Sequence, residues 1–235
     1  MSTTDARTEL FRSSWSLYDT VIAANYMFHR EIESVVAKVV GRSIRGSSLL
    51  DLGCGNARGL AALLRSAPPQ LYVGVDLSRP ALEQAAVELA GLPQVRLQEE
   101  DMLACVERFA DEGQRFDWVY SSFAMHHLNT ADKGRLFQAV ARVLAPRGCF
   151  LLVDVLRVAD QSRQAYLDAY LKTVDEQWLE LSREQRQEVR QHVTAYDFPE
   201  TLAELSALAQ AAGFTPAELM GEFREHHVMV FRKTC

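Results

Sequence analysis

Leu49-Leu50-Asp51-Leu52-Gly53-Cys54-Gly55-Asn56-Ala57-Arg58-Gly59 is an apolar run, broken only by Asp51, that closes on two glycines one residue apart. It reads as a buried strand at Ser48–Leu52, a tight turn, and a helix over Ala57–Arg65. Gly53 and Gly55 let the backbone turn sharply and approach a ligand, and the helix start offers unpaired N–H groups. A nucleotide-like cofactor fits such a turn. Taken alone, the segment is read equally well as an ordinary turn at a strand end.

The next apolar run, Leu71-Tyr72-Val73-Gly74-Val75-Asp76, ends in an acid. The first two strands of a doubly wound sheet are neighbours, so Asp76 falls beside the glycine turn, where a carboxylate can accept both hydroxyls of a ribose. That points to an adenosine cofactor without separating a nicotinamide dinucleotide from S-adenosylmethionine. The turn itself bears on the choice: a dinucleotide site asks for G-x-G-x-x-G, whereas residue 58 is Arg58, and an acid, Asp51, stands two residues before Gly53.

Outward from this pair the same alternation continues. Val95–Glu99, Phe116–Ser121 and Cys149–Val155 read as buried strands, and Pro80–Leu89 and Ala131–Leu144 as helices. Turn residues at 67–70, 91–93 and 146–148 separate helix from strand. The expected architecture is α/β, a seven-stranded, mostly parallel, doubly wound sheet with helices on both faces. From Phe11 to Val40 apolar residues recur at helical steps, giving an N-terminal helical cap. From Gln161 to His192 a polar helical stretch reads as an insertion after strand five. The chain then returns through a helix near Pro199–Ala212, closed by Gly213, and strands around Phe214–Met220 and Glu225–Arg232. One domain over 1–235 is expected, divided into cap (1–45), cofactor-binding core (46–155), insertion (156–197) and closing elements (198–235).

Bulk properties narrow the partners. With 235 residues and 48% hydrophobic content, the chain can bury a core without disulfides or metal. Cys54, Cys105, Cys149 and Cys235 show no Cys-x-x-Cys pair, which fits a reducing compartment and no structural metal. A net charge of −6 disfavours nucleic acid as partner. No run approaches the roughly 20 apolar residues of a membrane helix, and the first residues lack a signal-peptide pattern, so a cytoplasmic protein without a membrane partner is expected. His226-His227 has no Glu-x-x-His or cysteine companion and reads as structural. The charged stretch Ser182–Arg190 reads as a solvated helix face.

These motifs together resemble the class I S-adenosylmethionine-dependent methyltransferases. The family's acid-x-Gly-x-Gly-x-Gly is met by Asp51, Gly53 and Gly55, with Ala57 in place of the third glycine and Cys54 inside the turn. Asp76-Leu77 resembles its ribose acid and neighbour. Glu100-Asp101-Met102 falls where the family has an acid facing the adenine amino group and an apolar residue on the ring. Phe116 to Leu128 resembles the fourth-strand motif, and residues 145–153 the entry to strand five. The resemblance implies S-adenosylmethionine across the carboxyl ends of strands one, two and four. The implied cofactor contacts are Asp51, Gly53, Cys54, Gly55, Asp76, Leu77, Asp101, Met102, Ser121 and Tyr26.

His126 and His127, just after the fourth strand, fall near the expected methyl group, where an imidazole can take a proton; packing or cofactor contact is the competing reading. Tyr18 and Tyr26 are candidates for a lid from the N-terminal helix, with Tyr18 counted among catalytic candidates. Tyr166, Tyr170, Trp178 and Tyr196 pose the same choice between lid and core. The expected activity is methyl transfer to nitrogen, oxygen or carbon of a small-molecule acceptor, with a homodimer left open. Ser-Ser-Phe-Ala-Met-His-His lacks the Asn/Asp-Pro-Pro-Tyr/Phe signature of nucleobase or glutamine methylation. The rivals are chemistry on a modified S-adenosylmethionine and a cofactor-binding protein without turnover.

Overall fold

A computed structural model describes residues 15–234, with the side chains of residues 15, 16, 18 and 19 outside that description. The candidate Tyr18 therefore lies outside the described residues. In chain order the elements are α1 (Trp15–Ala23), α2 (His29–Val40), a 3-10 turn (Gly41–Ile44), β1 (Ser48–Leu52), α3 (Arg58–Ser66), β2 (Leu71–Asp76) and α4 (Arg79–Glu88). There follow β3 (Val95–Glu99), α5 (Met102–Asp111), β4 (Phe116–Ser122), a second 3-10 turn (Met125–His127), α6 (Thr130–Val143) and β5 (Leu144–Val155). The chain closes with α7 (Arg163–Gln177), α8 (Arg183–Tyr196), α9 (Leu202–Ala211), β6 (Glu218–Phe223) and β7 (His226–Arg232).

The seven strands form one sheet in the order β3-β2-β1-β4-β5-β7-β6. All pairs from β3 to β5 are parallel, and β7 runs antiparallel to both β5 and β6. Alternating side chains divide the core into two layers, as the period of two in a strand requires. Leu50, Leu52, Phe150 and Leu152 face α5, α6 and α9, whereas Leu49, Leu151 and Val153 face α2, α3 and α4. A third cluster joins α1 to α7 and α8 through Leu17, Val21, Tyr170, Trp178 and Val193. This third cluster roofs the carboxyl ends of the parallel strands. Among the described residues no helix is long and apolar enough to cross a membrane.

Several borders differ from the sequence reading, each for a local reason. The N-terminal stretch is two helices, not one, because Asn25 and Phe28 take positive φ of 58° and 57°. Asn25 Oδ1 accepts from Arg30 N at 3.0 Å and its Nδ2 donates to Glu31, so this side chain serves the start of α2. α5 was not anticipated, although Asp101 caps it by accepting from Leu103 N and Ala104 N, both at 3.0 Å. The insertion is also two helices, with Ser182 and Gln185 forming a capping box that starts the second. β5 begins five residues early because Leu144 pairs with Phe116 before the register shifts to Cys149 against Trp118. β6 starts at Glu218 rather than Phe214, since Pro216 has no N–H for a ladder.

Candidate active site

The turn after β1 is shaped by contacts that admit no side chain. Gly53 has φ +74°, and a Cβ there would stand 2.4 Å from Ala124 Cβ. Gly53 N and Cys54 N both donate to Val75 O, at 2.8 and 3.0 Å, which ties the turn to the end of β2. Gly55 N then donates to Asp76 Oδ2 at 2.9 Å, while Ser78 N donates to Oδ1 at 2.8 Å. Burial raises the Asp76 pKa, opposed by these N–H donors. Ala57, in the third glycine position, has φ +55°, a conformation that costs an L residue about 1–2 kcal/mol.

A cavity of about 280 Å³ opens over this turn. Gly53, Gly55, Asp76, Leu77, Asp101 and Met102 line one end, and His126, His127, His192 and Asp197 line the other. Leu17, Val21, Met27, Tyr170, Trp178, Val189 and Val193 close it from above, so its wall is largely apolar. Phe123, also on the wall, takes φ +51°. A bulky residue in that region is strained, and such strain gathers at functional sites.

The polar end is built from three distant stretches of chain. His126 Nδ1 is hydrogen-bonded to Asp154 Oδ1, and its Nε2 lies 3.6 Å from Asp197 Oδ1. His127 Nδ1 stands 3.5 Å from the same oxygen and 3.2 Å from the Tyr196 carbonyl. His192 Nε2 approaches it to 3.9 Å. Asp197 Oδ1 is buried and has no hydrogen bond. Burial works against charge on His126, but the Asp154 and Asp197 carboxylates outweigh it and raise its pKa. Burial, and then the charge of His126, lower that of His127; burial pushes His192 down to about 4. Burial alone would raise the Asp197 pKa, yet the surrounding imidazoles hold it below the usual carboxylate range. The pattern favours an imidazolium at His126, neutral rings at His127 and His192, and an ionised Asp197.

Behind this end, Lys133 donates to Phe198 O and stands 3.2 Å from Glu200 Oε1. Phe198 N donates to His126 O at 2.8 Å. The segment carrying Asp197 is thus pinned to α6 and to the turn after β4.

Residues 49–148 match the family model described as "Methyltransferase domain". Over that central segment the chain is similar to methyltransferases. An uncharacterized methyltransferase of Synechocystis is 34% identical over 112 residues, 48% of this chain and 49% of that protein. The chain thus spans about half the length of that relative. Demethylmenaquinone methyltransferase of Protochlamydia amoebophila is 26% identical over 211 residues, 87% of this chain and 85% of the relative. Among solved structures, magnesium protoporphyrin IX methyltransferase of Synechocystis with bound S-adenosylhomocysteine superposes with a TM-score of 0.66. It is 15% identical, with 99% of this chain and 100% of that one covered, and shows the shared fold.

The residues present suit S-adenosylmethionine as a cofactor. Each Asp76 oxygen uses one lone pair on a backbone N–H, which leaves capacity for two ribose hydroxyls. Asp101 Oδ1 takes both cap donors, so Oδ2 remains for an amino group.

Of the sequence candidates, the structure brings Gly53, Gly55, Asp76, Leu77, Asp101, Met102, His126 and His127 to the cavity. Four others stand elsewhere. Asp51 is buried behind the turn, accepts from the Tyr72 hydroxyl at 2.7 Å, and is pushed up to about 7 by burial. Cys54 turns its sulfur toward Gly74, where a Cβ would meet it at 2.9 Å. Ser121 donates to Leu52 O at 2.8 Å across the β1–β4 seam, and Ser122 lines the cavity instead. Tyr26 stacks on Trp178 with ring centroids 5.0 Å apart and accepts from Glu180 N. It braces the roof, while Met27 beside it lines the cavity. Sequence reading missed His192, Asp197 and Asp154. Their spacing from His126 in sequence carries no motif, and only the return of the insertion over the sheet brings them there.

Proposed function

We propose that this chain transfers a methyl group to a small molecule with a largely apolar body, at a hydroxyl oxygen in preference to nitrogen or carbon. The observation that carries this reading is the single cavity joining the Gly53–Asp76 turn to the imidazole and carboxylate cluster under an apolar roof. When bound, S-adenosylmethionine supplies a methyl already activated on a sulfonium. The protein's own tasks are then to hold the acceptor in line, exclude water and manage one proton; orientation of this kind is worth roughly 7–11 kcal/mol.

Asp76 would hold the ribose, the backbone at Gly53 and Gly55 the cofactor's tail, and Asp101 with Met102 the adenine. Trp178, Tyr170 and Val193 would cover the acceptor's apolar body. His127, whose neutral form is favoured, would receive the acceptor's proton in the ion-free cluster. An acceptor that must surrender a proton from oxygen suits the neutral rings of His127 and His192.

Calorimetric titration with S-adenosylhomocysteine and with NAD, on the native chain and on Asp76→Ala, tests the cofactor end. Binding of the first alone, weakened by about 1.5–3 kcal/mol in the variant, is expected from loss of hydrogen bonds to a charged group. NAD binding, or an unchanged Asp76→Ala, would overturn it. A screen of hydroxylated, amine and carbon acceptors then tests the preference for oxygen.

A further inference from the structure

We infer that His126, His127, His192 and Asp197 form a binding site for a divalent transition-metal ion, zinc before others, at the acceptor end of the cavity. The inference rests on the pocket reading above and specifies what its polar end holds. Three observations carry it. Donor atoms of His126, His127 and Asp197 all lie within 4.8 Å of one another. The three histidine nitrogens stand 3.6, 3.5 and 3.9 Å from the one oxygen, Asp197 Oδ1. That oxygen is buried with no hydrogen bond and faces the gathered rings.

The spacing is the informative part. Distances of 3.5–3.9 Å are too long for good hydrogen bonds, whose heavy atoms sit about 2.7–3.2 Å apart. A tetrahedral ion about 2.0–2.1 Å from each ligand sets its ligands roughly 3.3–3.4 Å from one another. The three contacts to Asp197 Oδ1 are therefore a few tenths of an ångström longer than in a filled site, and His192, outside the 4.8 Å group of the other three, would have to move in to complete it. Imidazole with a carboxylate is a donor set that suits zinc and its neighbours rather than magnesium or calcium.

His126 has the arrangement expected of a ligand: Nδ1 bonds to the Asp154 carboxylate, which fixes the ring and leaves Nε2 to face Asp197. His127 would exchange its 3.2 Å contact with the Tyr196 carbonyl for the ion. All four side chains line the cavity, so an acceptor oxygen entering as a fifth ligand would meet the charge of the ion. In that state the lone pair of His127 is engaged; the ion would instead lower the pKa of the acceptor hydroxyl, so that its proton passes to bulk solvent as the acceptor binds and the alkoxide or phenolate takes the methyl. An oxygen-bearing acceptor remains the class that fits. The site would also tie the insertion, through His192 and Asp197, to the turn after β4.

The test uses the full chain stripped with a chelator, dialysed, and titrated separately with zinc and with cobalt(II). One ion per chain is expected, with the visible absorption of four-coordinate cobalt and a raised Tm. Asp197→Asn and His192→Ala should each weaken binding at least tenfold, while His227→Ala binds as the native chain does. S-adenosylhomocysteine titration of the metal-free native chain and variants reports folding and the cofactor end separately. Native affinity for S-adenosylhomocysteine with no saturable zinc binding would overturn the ion site and leave the pocket reading standing. Zinc binding unaffected by Asp197→Asn would overturn the ligand assignment. One zinc per chain without S-adenosylhomocysteine binding would support the ion site and count against the cofactor reading.

Discussion

The imidazole of His126 is hydrogen-bonded through Nδ1 to the Asp154 carboxylate at the end of β5, and this bond decides which ring nitrogen faces the cavity. Asp154→Asn keeps the shape but removes the charge that holds the Nδ1 proton. Such a change behind a functional histidine typically costs about 10–100-fold. We expect a fall of that size in kcat, with the affinity for S-adenosylhomocysteine unchanged. An equal loss in cofactor affinity would show that Asp154 acts on the fold of the whole site instead.

Gly53→Ala should damage both folding and cofactor binding. The positive φ costs about 1–2 kcal/mol for an L residue, and overpacking against Ala124 adds roughly 1–3 kcal/mol. The displaced residue stands two positions before His126, so the damage should reach the polar end. Denaturant unfolding should show destabilisation of about 2–5 kcal/mol. A variant as stable as the native chain would mean that the turn can shift without strain.

Lys133 is 2% exposed and faces Glu200, while burial pulls its pKa below the ordinary lysine value. Removing one partner of such a buried pair leaves the other charge unpaired, at a cost of roughly 3–5 kcal/mol. Glu200→Gln should therefore lower stability and, by releasing the segment that carries Asp197, lower turnover as well. Lys133→Met with Glu200→Gln should recover part of the stability, measured by urea midpoint.

Stability should fall as pH drops below neutrality. Burial pushes His226 down to about 3 and His29 to about 4, so the folded state keeps both rings neutral. In the unfolded chain they take up protons near pH 6.5, and below that pH the unfolded state binds more protons than the folded one. Their contribution is complete above about pH 6.5 and is lost progressively toward pH 4 and 3. His226 packs against Phe28, Phe123 and Tyr170, and its Nε2 has no hydrogen bond. His226→Leu should flatten the slope of stability between pH 6 and pH 4 by about 1.4 kcal/mol per pH unit. An unchanged slope would show that His226 is protonated in the folded chain.

Much of this protein was determined locally, and therefore legible in the sequence. The turn at Gly53 and Gly55 and the acid at the end of β2 depend on backbone conformations that only certain residues adopt and on neighbours along one strand. The near-continuous apolar runs of β1 and of β5 from Cys149 to Val155, buried on both faces, and the alternation of strand with helix fixed the α/β sheet in the same way. Even the missed helix α5 and the split insertion had local signals, in the Asp101 cap and in Ser182 with Gln185. The polar end of the cavity is of another kind. His126, Asp154, His192 and Asp197 are separated by up to 71 positions in the numbering, and nothing in their spacing marks them as partners. They meet because α7 and α8 fold back over the sheet and Lys133 with Glu200 pins the returning segment. Side-chain direction was likewise a tertiary matter: Cys54 and Ser121 sit within correctly read motifs, yet packing against Gly74 and hydrogen bonding to Leu52 aim them away from the cavity. Short-range sterics and hydrogen bonding are written residue by residue, whereas long-range convergence exists only once the core has formed.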